Sequence, residues 1–275
     1  MSRKRKTVLV FWVLVSVGCC LCIGLYLLQM RWAHRHERFV PTYEKAVLTE
    51  ETDYETIYRQ TGLGPQAVDK VLRQEGAAGL RKAQELFFHP PKEQCSPLFG
   101  WFTREDRMSE SGVPLVDLQP GDILVTLSTH SAGWRHGHAG LVIDDETVLE
   151  CGMLGTESSL KSAESWSYYT NYAVLRITGI TEKQQQGMKE YALSVLYEVP
   201  YQLLAGFIGP KAPEPDSRGF GLQCAYLVWY GWKHFGYDLD SDGGRLVTAD
   251  DLLHADCVEV VQIYGMNPEE FLEEK

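Results

Sequence analysis

A chain of 275 residues, 44% of them hydrophobic, is long enough to bury one substantial core and still carry an appended segment. Its charge is uneven: residues 1 to 38 hold seven Lys or Arg and one acid, which leaves 19 basic and 36 acidic residues beyond them, a balance of −17. That acidity argues against a nucleic-acid partner, whose phosphates require a basic surface, and no internal repeat or low-complexity segment points to a solenoid or a disordered chain.

The first predicted element is a membrane anchor. Residues 7 to 30, TVLVFWVLVSVGCCLCIGLYLLQM, contain no charge and as a helix are long enough to cross a hydrocarbon layer of roughly 30 Å. A cleaved signal peptide would have a shorter apolar stretch of ~7–15 residues and a small-residue cleavage site, and neither is present. Cys19, after Val17 and Gly18, offers a lipoprotein reading, yet the apolar run continues for eleven residues past it. Arg3, Lys4, Arg5 and Lys6 precede the run while Arg31, Arg35 and Arg38 follow it, so the positive-inside rule only leans towards a cytoplasmic tail at 1–6. The remainder is then expected outside the cytoplasmic membrane.

Residues 31–117 read as a helical, membrane-proximal segment, since apolar residues such as Ala67, Val71 and Leu72 recur at three- and four-residue spacing between glycines. After LQPGD the texture changes. DILVTL, GHAGLVID, TVLECG and AVLRITG are short, rich in β-branched residues and bounded by turn residues, and predict a meander of antiparallel strands. A helix follows in TEKQQQGMKEYALSVLYE with Thr181 as its N-cap, then a proline- and glycine-broken loop over PYQLLAGFIGPKAPEPDSRGFG, a helix from Cys224, and a last strand in VEVVQIY. The order predicts an α+β domain over 118–265 with a tail at 266–275. YDLDSDGGRLVTADDL begins like a calcium loop with Asp238, Asp240 and Asp242, but the twelfth position, which should be Glu, is Ala249; it reads as an acidic turn before a helix capped by Thr248.

Seven cysteines reduce to four outside the anchor: Cys95, Cys151, Cys224 and Cys257. They are widely spaced with no CxxC pair, so neither a zinc set nor a dense disulfide framework is expected, and no cofactor is. Cys224 stands apart because apolar Leu227, Val228, Trp232 and Phe235 follow it at helical spacing, which puts it in a first helical turn where unpaired N–H groups and the helix dipole favour an anion. On position alone, a buried structural cysteine beside an apolar helix is the preferred reading. The hairpin decides whether a base is at hand. If Asp144, Asp145 and Glu146 form a three-residue turn, Gly140 pairs with Glu150 and His138 is its diagonal neighbour on one face; a two-residue turn puts His138 and Glu150 on opposite faces. His130, His136 and His234 compete for the base role, His136 most directly. Trp134, Tyr168, Tyr169 and Tyr172 are candidates for a groove, although aromatic residues near strands are more often core.

GDIL at 121–124, GHAGLV at 137–142, VLE at 148–150 and CAYLVW at 224–229 together resemble the circularly permuted branch of the NlpC-type papain-like cysteine hydrolases, the YiiX-like family, over roughly residues 118–265. The resemblance implies a papain-like antiparallel sheet packed with helices, with Cys224 as nucleophile, His138 as general base and Glu150 orienting the imidazole. It implies cell-wall peptide amides as substrate first, with lipid or acyl-ester substrates second. A non-catalytic wall-binding domain is the remaining alternative. Three positions depart from the family pattern: Ala225 and Tyr226 follow the cysteine where polar residues are usual, and Gln202 follows Tyr201 where Tyr-Asp is common.

Overall fold

The computed structural model describes residues 3–33, 38–99, 103–131 and 134–272. Helix α1 (Arg3–Ala33) contains the uncharged run, and Val8–Leu27 is the one stretch among the described residues that is long and apolar enough as a helix to cross a membrane, a property that signal sequences share. Along it, Val8 to Leu14 are each more than half exposed, while Arg104 lies over the Tyr26 ring at 5.7 Å.

Two helices follow. α2 (Tyr54–Thr61) starts at Asp53, whose carboxylate accepts the Thr56 N–H at 2.8 Å, and stops at Gly62, left-handed at φ 74°. α3 (Pro65–Phe88) opens on a proline, whose missing N–H is no loss there, and kinks at Gly76. The helical expectation for 31–117 fails beyond them: Glu93–Phe99 (β1) and Thr103–Met108 (β2) are strands. Both are short and polar, and β1 contains Pro97, so neither shows the apolar alternation by which a strand is read; pairing with each other and with β4 (Thr129–Ser131) makes them strands. With β5 (Trp134–Arg135) they form a four-stranded sheet ordered β1-β2-β4-β5.

The main sheet is built from β3 (Ile123–Thr126), β6 (His138–Val142), β7 (Thr147–Glu150), β8 (Ser159–Ser162), β9 (Tyr172–Ile177) and β10 (Val258–Tyr264), in the order β10-β9-β3-β6-β7-β8 with every pair antiparallel. Both faces of its centre are covered, and alternation sorts the side chains. Ile123, Val125, Ala139, Leu141, Ala173 and Leu175 pack with α4 (Glu182–Tyr191), α5 (Cys224–His234) and α6 (Ala249–Leu253). Leu124, Val142, Val148 and Val174 pack with α2 and α3 on the other face. The molecule is thus an α+β fold of helices on an antiparallel sheet.

Three local expectations are met. Thr181 caps α4 in a reciprocal box with Gln184, Thr248 does the same for α6 with Asp251, and β10 closes the sheet edge. The DILV strand is anchored at its start by a buried, bidentate pair: Arg176 donates to both oxygens of Asp122 at 2.8 Å each, tying β3 to β9.

Candidate active site

The hairpin β6–β7 closes with the three-residue turn. Ile143 donates its N–H to Thr147 O at 2.8 Å, and Gly140 lies opposite Glu150, Leu141 opposite Leu149 and Val142 opposite Val148. His138 and Glu150 therefore share a face, and His138 Nε2 lies 3.1 Å from Glu150 Oε2. Both glycines of GHAGLV are needed. Gly137 adopts φ 68°, where a Cβ would stand 2.6 Å from Thr126 O, and a Cβ on Gly140 would lie 2.5 Å from a Val148 methyl and 3.1 Å from the Trp166 ring.

Cys224 is the first residue of α5. Gln223 caps that helix, its side-chain oxygen accepting the Ala225 N–H at 3.1 Å and the Cys224 thiol at 3.2 Å, while its amide donates to Val247 O at 2.7 Å. The helix start is thereby tied to the segment before α6 while α5 packs on β6, and Cys224 and His138 line one cavity, close enough for each to shift the other's titration. Because Nε2 is engaged by Glu150, the nitrogen left for the thiol is Nδ1. The structure brings Cys224, His138 and Glu150 together.

The electrostatics of the three are mutually consistent. Burial opposes a Cys224 anion, but the His138 ring and the backbone N–H groups of Ala139 and Ala225 outweigh it and hold the thiol below its ordinary value. Burial likewise opposes a charged His138, and Cys224 and Glu150 outweigh it, so that the imidazole is raised well above its usual value. Glu150, buried as well, is kept low by His138 and by the Trp166 indole. The directions favour moving the thiol proton onto His138, with Glu150 as the ring's counter-charge. The other cysteines outside α1 go the opposite way: burial, reinforced by Cys224, pushes Cys151 up to about 12, and burial raises Cys95 and Cys257. All seven cysteines are free thiols.

Trp166 is a member of the site that spacing does not reveal. Fully buried in the 3-10 turn after β8, it donates Nε1–H to Glu150 Oε1 at 2.7 Å and stacks on the His138 ring, centroids 5.5 Å apart and planes 15° apart. It holds the carboxylate by the oxygen that His138 does not use. His136, by contrast, lines the cavity with its ring nitrogens engaged elsewhere: Nε2 contacts Ser131 Oγ at 2.9 Å, Nδ1 the Gly137 carbonyl at 2.8 Å, and burial depresses its pKa. His234 stacks on Tyr191 at the far end of α5, and His130 pairs with Asp106 at 3.3 Å in the small sheet. Of the four aromatic groove candidates, Trp134 and Tyr169 line the cavity; Tyr168 is half-buried outside that lining, and Tyr172 is buried under α3, its hydroxyl donating to Val113 O.

The trio opens into a cavity of about 680 Å³ walled by the small sheet, the turn after β7, the loop after Pro200 and the start of α6. Its lining is largely apolar, with Trp134, Met153, Leu154, Leu203, Leu204 and Val247, and Glu105, Glu157 and Lys161 supply charge. Tyr201 lies in this wall, its phenol raised by burial and by the nearby Cys224 and Cys151.

Among the described residues, two other clusters bring together groups of the kind that hold metals. Cys95, Asp106 and His130 converge on one face of the small sheet, where Arg135 already donates to Asp106 at 2.7 Å. In the acidic turn, Asp240, Asp242 and Asp251 converge, and the Lys211 ammonium bonds Asp240 where a cation would sit.

No family model matches this chain, and no curated protein matches it. Among solved structures it is similar to the crystal structure of the metalloprotein yiiX from Escherichia coli O157:H7, at 16% identity over 52% of this chain and 96% of that one, with a TM-score of 0.39.

Proposed function

We propose that this protein is a membrane-anchored, papain-like cysteine hydrolase that acts outside the cytoplasmic membrane on amide bonds, with cell-wall peptides as the first substrate class. The observation that carries the reading is a cysteine at a helix start, held low in pKa, in contact with a histidine whose other nitrogen is bound by a buried carboxylate. Helix α1 supports the anchoring.

In this mechanism the Cys224 thiolate attacks the substrate carbonyl carbon, the carbonyl π pair moves to oxygen, and N–H groups of the first turn of α5 receive the oxyanion. The tetrahedral adduct collapses, the C–N bond breaks, and His138 delivers its Nδ1 proton to the leaving amine, giving a thioester on Cys224. Neutral His138 then takes a proton from water, the hydroxide attacks the thioester carbonyl, and the acid leaves as the thiolate and imidazolium are restored. Glu150 holds the ring in register throughout and stabilises its charge.

The apolar lining of the cavity favours a second reading, hydrolysis or transfer of acyl groups from lipids or esters by the same trio. The purified full chain incubated separately with peptidoglycan stem peptides and with phospholipids, products read by mass spectrometry, separates the two. Loss of an amide bond to Cys224-dependent hydrolysis supports the first, and release or transfer of an acyl chain supports the second. A protein inert on both, whose Cys224 is no more reactive than a free thiol, would leave only a wall-binding module.

A further inference from the structure

The cavity mouth carries an apolar rim drawn from three separate stretches of chain. Trp134 is 58% exposed, Leu154 51%, Leu203 52% and Leu204 44%, and all four line the same cavity. The loop continues outward through Phe207 and Ile208, 49% and 76% exposed. Side chains of this size left in water at one site are a contact surface, since isolated monomers rarely expose such a patch.

The loop is built to keep them outside. Gly206 and Gly209, left-handed at φ 73° and 88°, bracket Phe207-Ile208, and a Cβ on Gly206 would fall 2.6 Å from the Tyr226 ring. Arg245 clamps the backbone from behind, donating to Phe207 O at 3.0 Å and to Gly209 O at 2.5 Å. Lys211 ties the next turn to Asp240 and Gly244 O, while Tyr226 donates to Lys211 O at 2.6 Å. With the Phe207 and Gly209 carbonyls held, the loop presents Phe207 and Ile208 outward.

The occupant follows from the tether. Only five peptide steps separate the end of α1 at Ala33 from Arg38, a reach of about 18 Å at full extension. A body of this size is on the order of 45 Å across, so an anchored chain keeps one of its faces at the bilayer. We infer that this rim, Trp134, Leu154, Leu203, Leu204, Phe207 and Ile208, docks into the lipid surface of the membrane that α1 spans, so that the cavity over Cys224 opens at the bilayer. The inference rests on the anchoring part of the proposed function and goes beyond it by fixing which face meets lipid. An indole at the mouth suits the interfacial zone, and Phe207 and Ile208 suit the acyl boundary below it.

The test uses the full chain in phosphatidylethanolamine–phosphatidylglycerol nanodiscs with a photoreactive benzoylphenylalanine replacing Phe207, a second preparation with it replacing Ile208, and a control with it replacing Lys82, an exposed position on α3 across the sheet. Irradiation is expected to give lipid adducts at 207 and 208 at least tenfold above those at 82. Equal yields at all three positions, no lipid adduct at 207 and 208, or covalent dimers of the chain from 207 in place of lipid adducts would overturn the docking. Co-migration of the chain with the discs reads the anchor by itself, and iodoacetamide labelling of Cys224 in detergent reads the thiol, so failure of the rim is distinguishable from failure of either.

Discussion

At the scale of single residues the site is a relay: Trp166 bonds Glu150, Glu150 bonds His138, and His138 acts on the titration of Cys224. Trp166 and His138 are buried and Glu150 and Cys224 half-buried, so the three titratable groups depend on one another for their charge. Iodoacetamide labelling against pH is therefore expected to show Cys224 reacting with an apparent pKa below that of a free thiol, and Cys95, Cys151 and Cys257 reacting more slowly at neutral pH; faster labelling at any of those three would remove Cys224 from the nucleophile role. Catalysis should show two limbs. kcat/KM rises as pH passes the lowered pKa of Cys224 and falls as it passes the raised pKa of His138, so the plateau is wider on both sides than free thiol and imidazole values allow. His138→Ala should lower turnover by ~10²–10⁴-fold, while His136→Ala, whose ring bonds Ser131 and Gly137, should be mild. Trp166→Phe keeps the stack but removes the N–H from Glu150. It should reduce kcat roughly tenfold, equivalent to about 1.4 kcal/mol, and move the acid limb to higher pH because Glu150 then protonates more easily. A purely structural role would leave the pH limb where it is.

Among the elements, two strands are set by single side chains. β3 is held to β9 by Asp122 and Arg176, both buried, and removing one partner strands the other's charge in the interior. Arg176→Ala is expected to destabilise the fold by about 3–5 kcal/mol in urea unfolding, whereas replacing both residues by apolar ones of similar volume should restore most of the loss. β6 carries Gly140 facing Glu150 and Trp166, with no space for a methyl group. Gly140→Ala should cost about 1–3 kcal/mol in stability through overpacking and should slow Cys224 alkylation at neutral pH, since the displaced groups are the ones that keep His138 charged; unchanged alkylation would mean that the hairpin tolerates the methyl by moving elsewhere.

Across the whole molecule, the helices read from sequence as a membrane-proximal segment cover one face of the main sheet, with Leu48, Leu63, Val68 and Leu80 fully buried against it. Protease added to intact spheroplasts is expected to cleave chain beyond Arg38, at exposed stretches such as the loop around Pro213. Protection until the membrane is ruptured would reverse the orientation that the Arg3–Lys6 cluster favours.

How much was legible in the sequence follows the range of the interactions concerned. The apolar run of α1, the strands after Gln119, the Thr181 and Thr248 caps and the helix starting at Cys224 all depend on residues within a few positions of one another, and sequence pattern carries that information. The hairpin was half determined: spacing limited His138 and Glu150 to two registers, and the closed turn at Asp144–Glu146 chose the one that puts them on the same face. The polar strands β1 and β2 were misread because only their pairing across the chain makes them strands. Trp166 reaches Glu150 from sixteen residues away, and the rim loop is held outward by Arg245 from almost forty. No local period encodes such contacts. A long-range hydrogen bond or a clamped carbonyl exists only once the sheet has brought both ends together, and for that reason the partners of the candidate nucleophile and the face it presents were decided by tertiary structure alone.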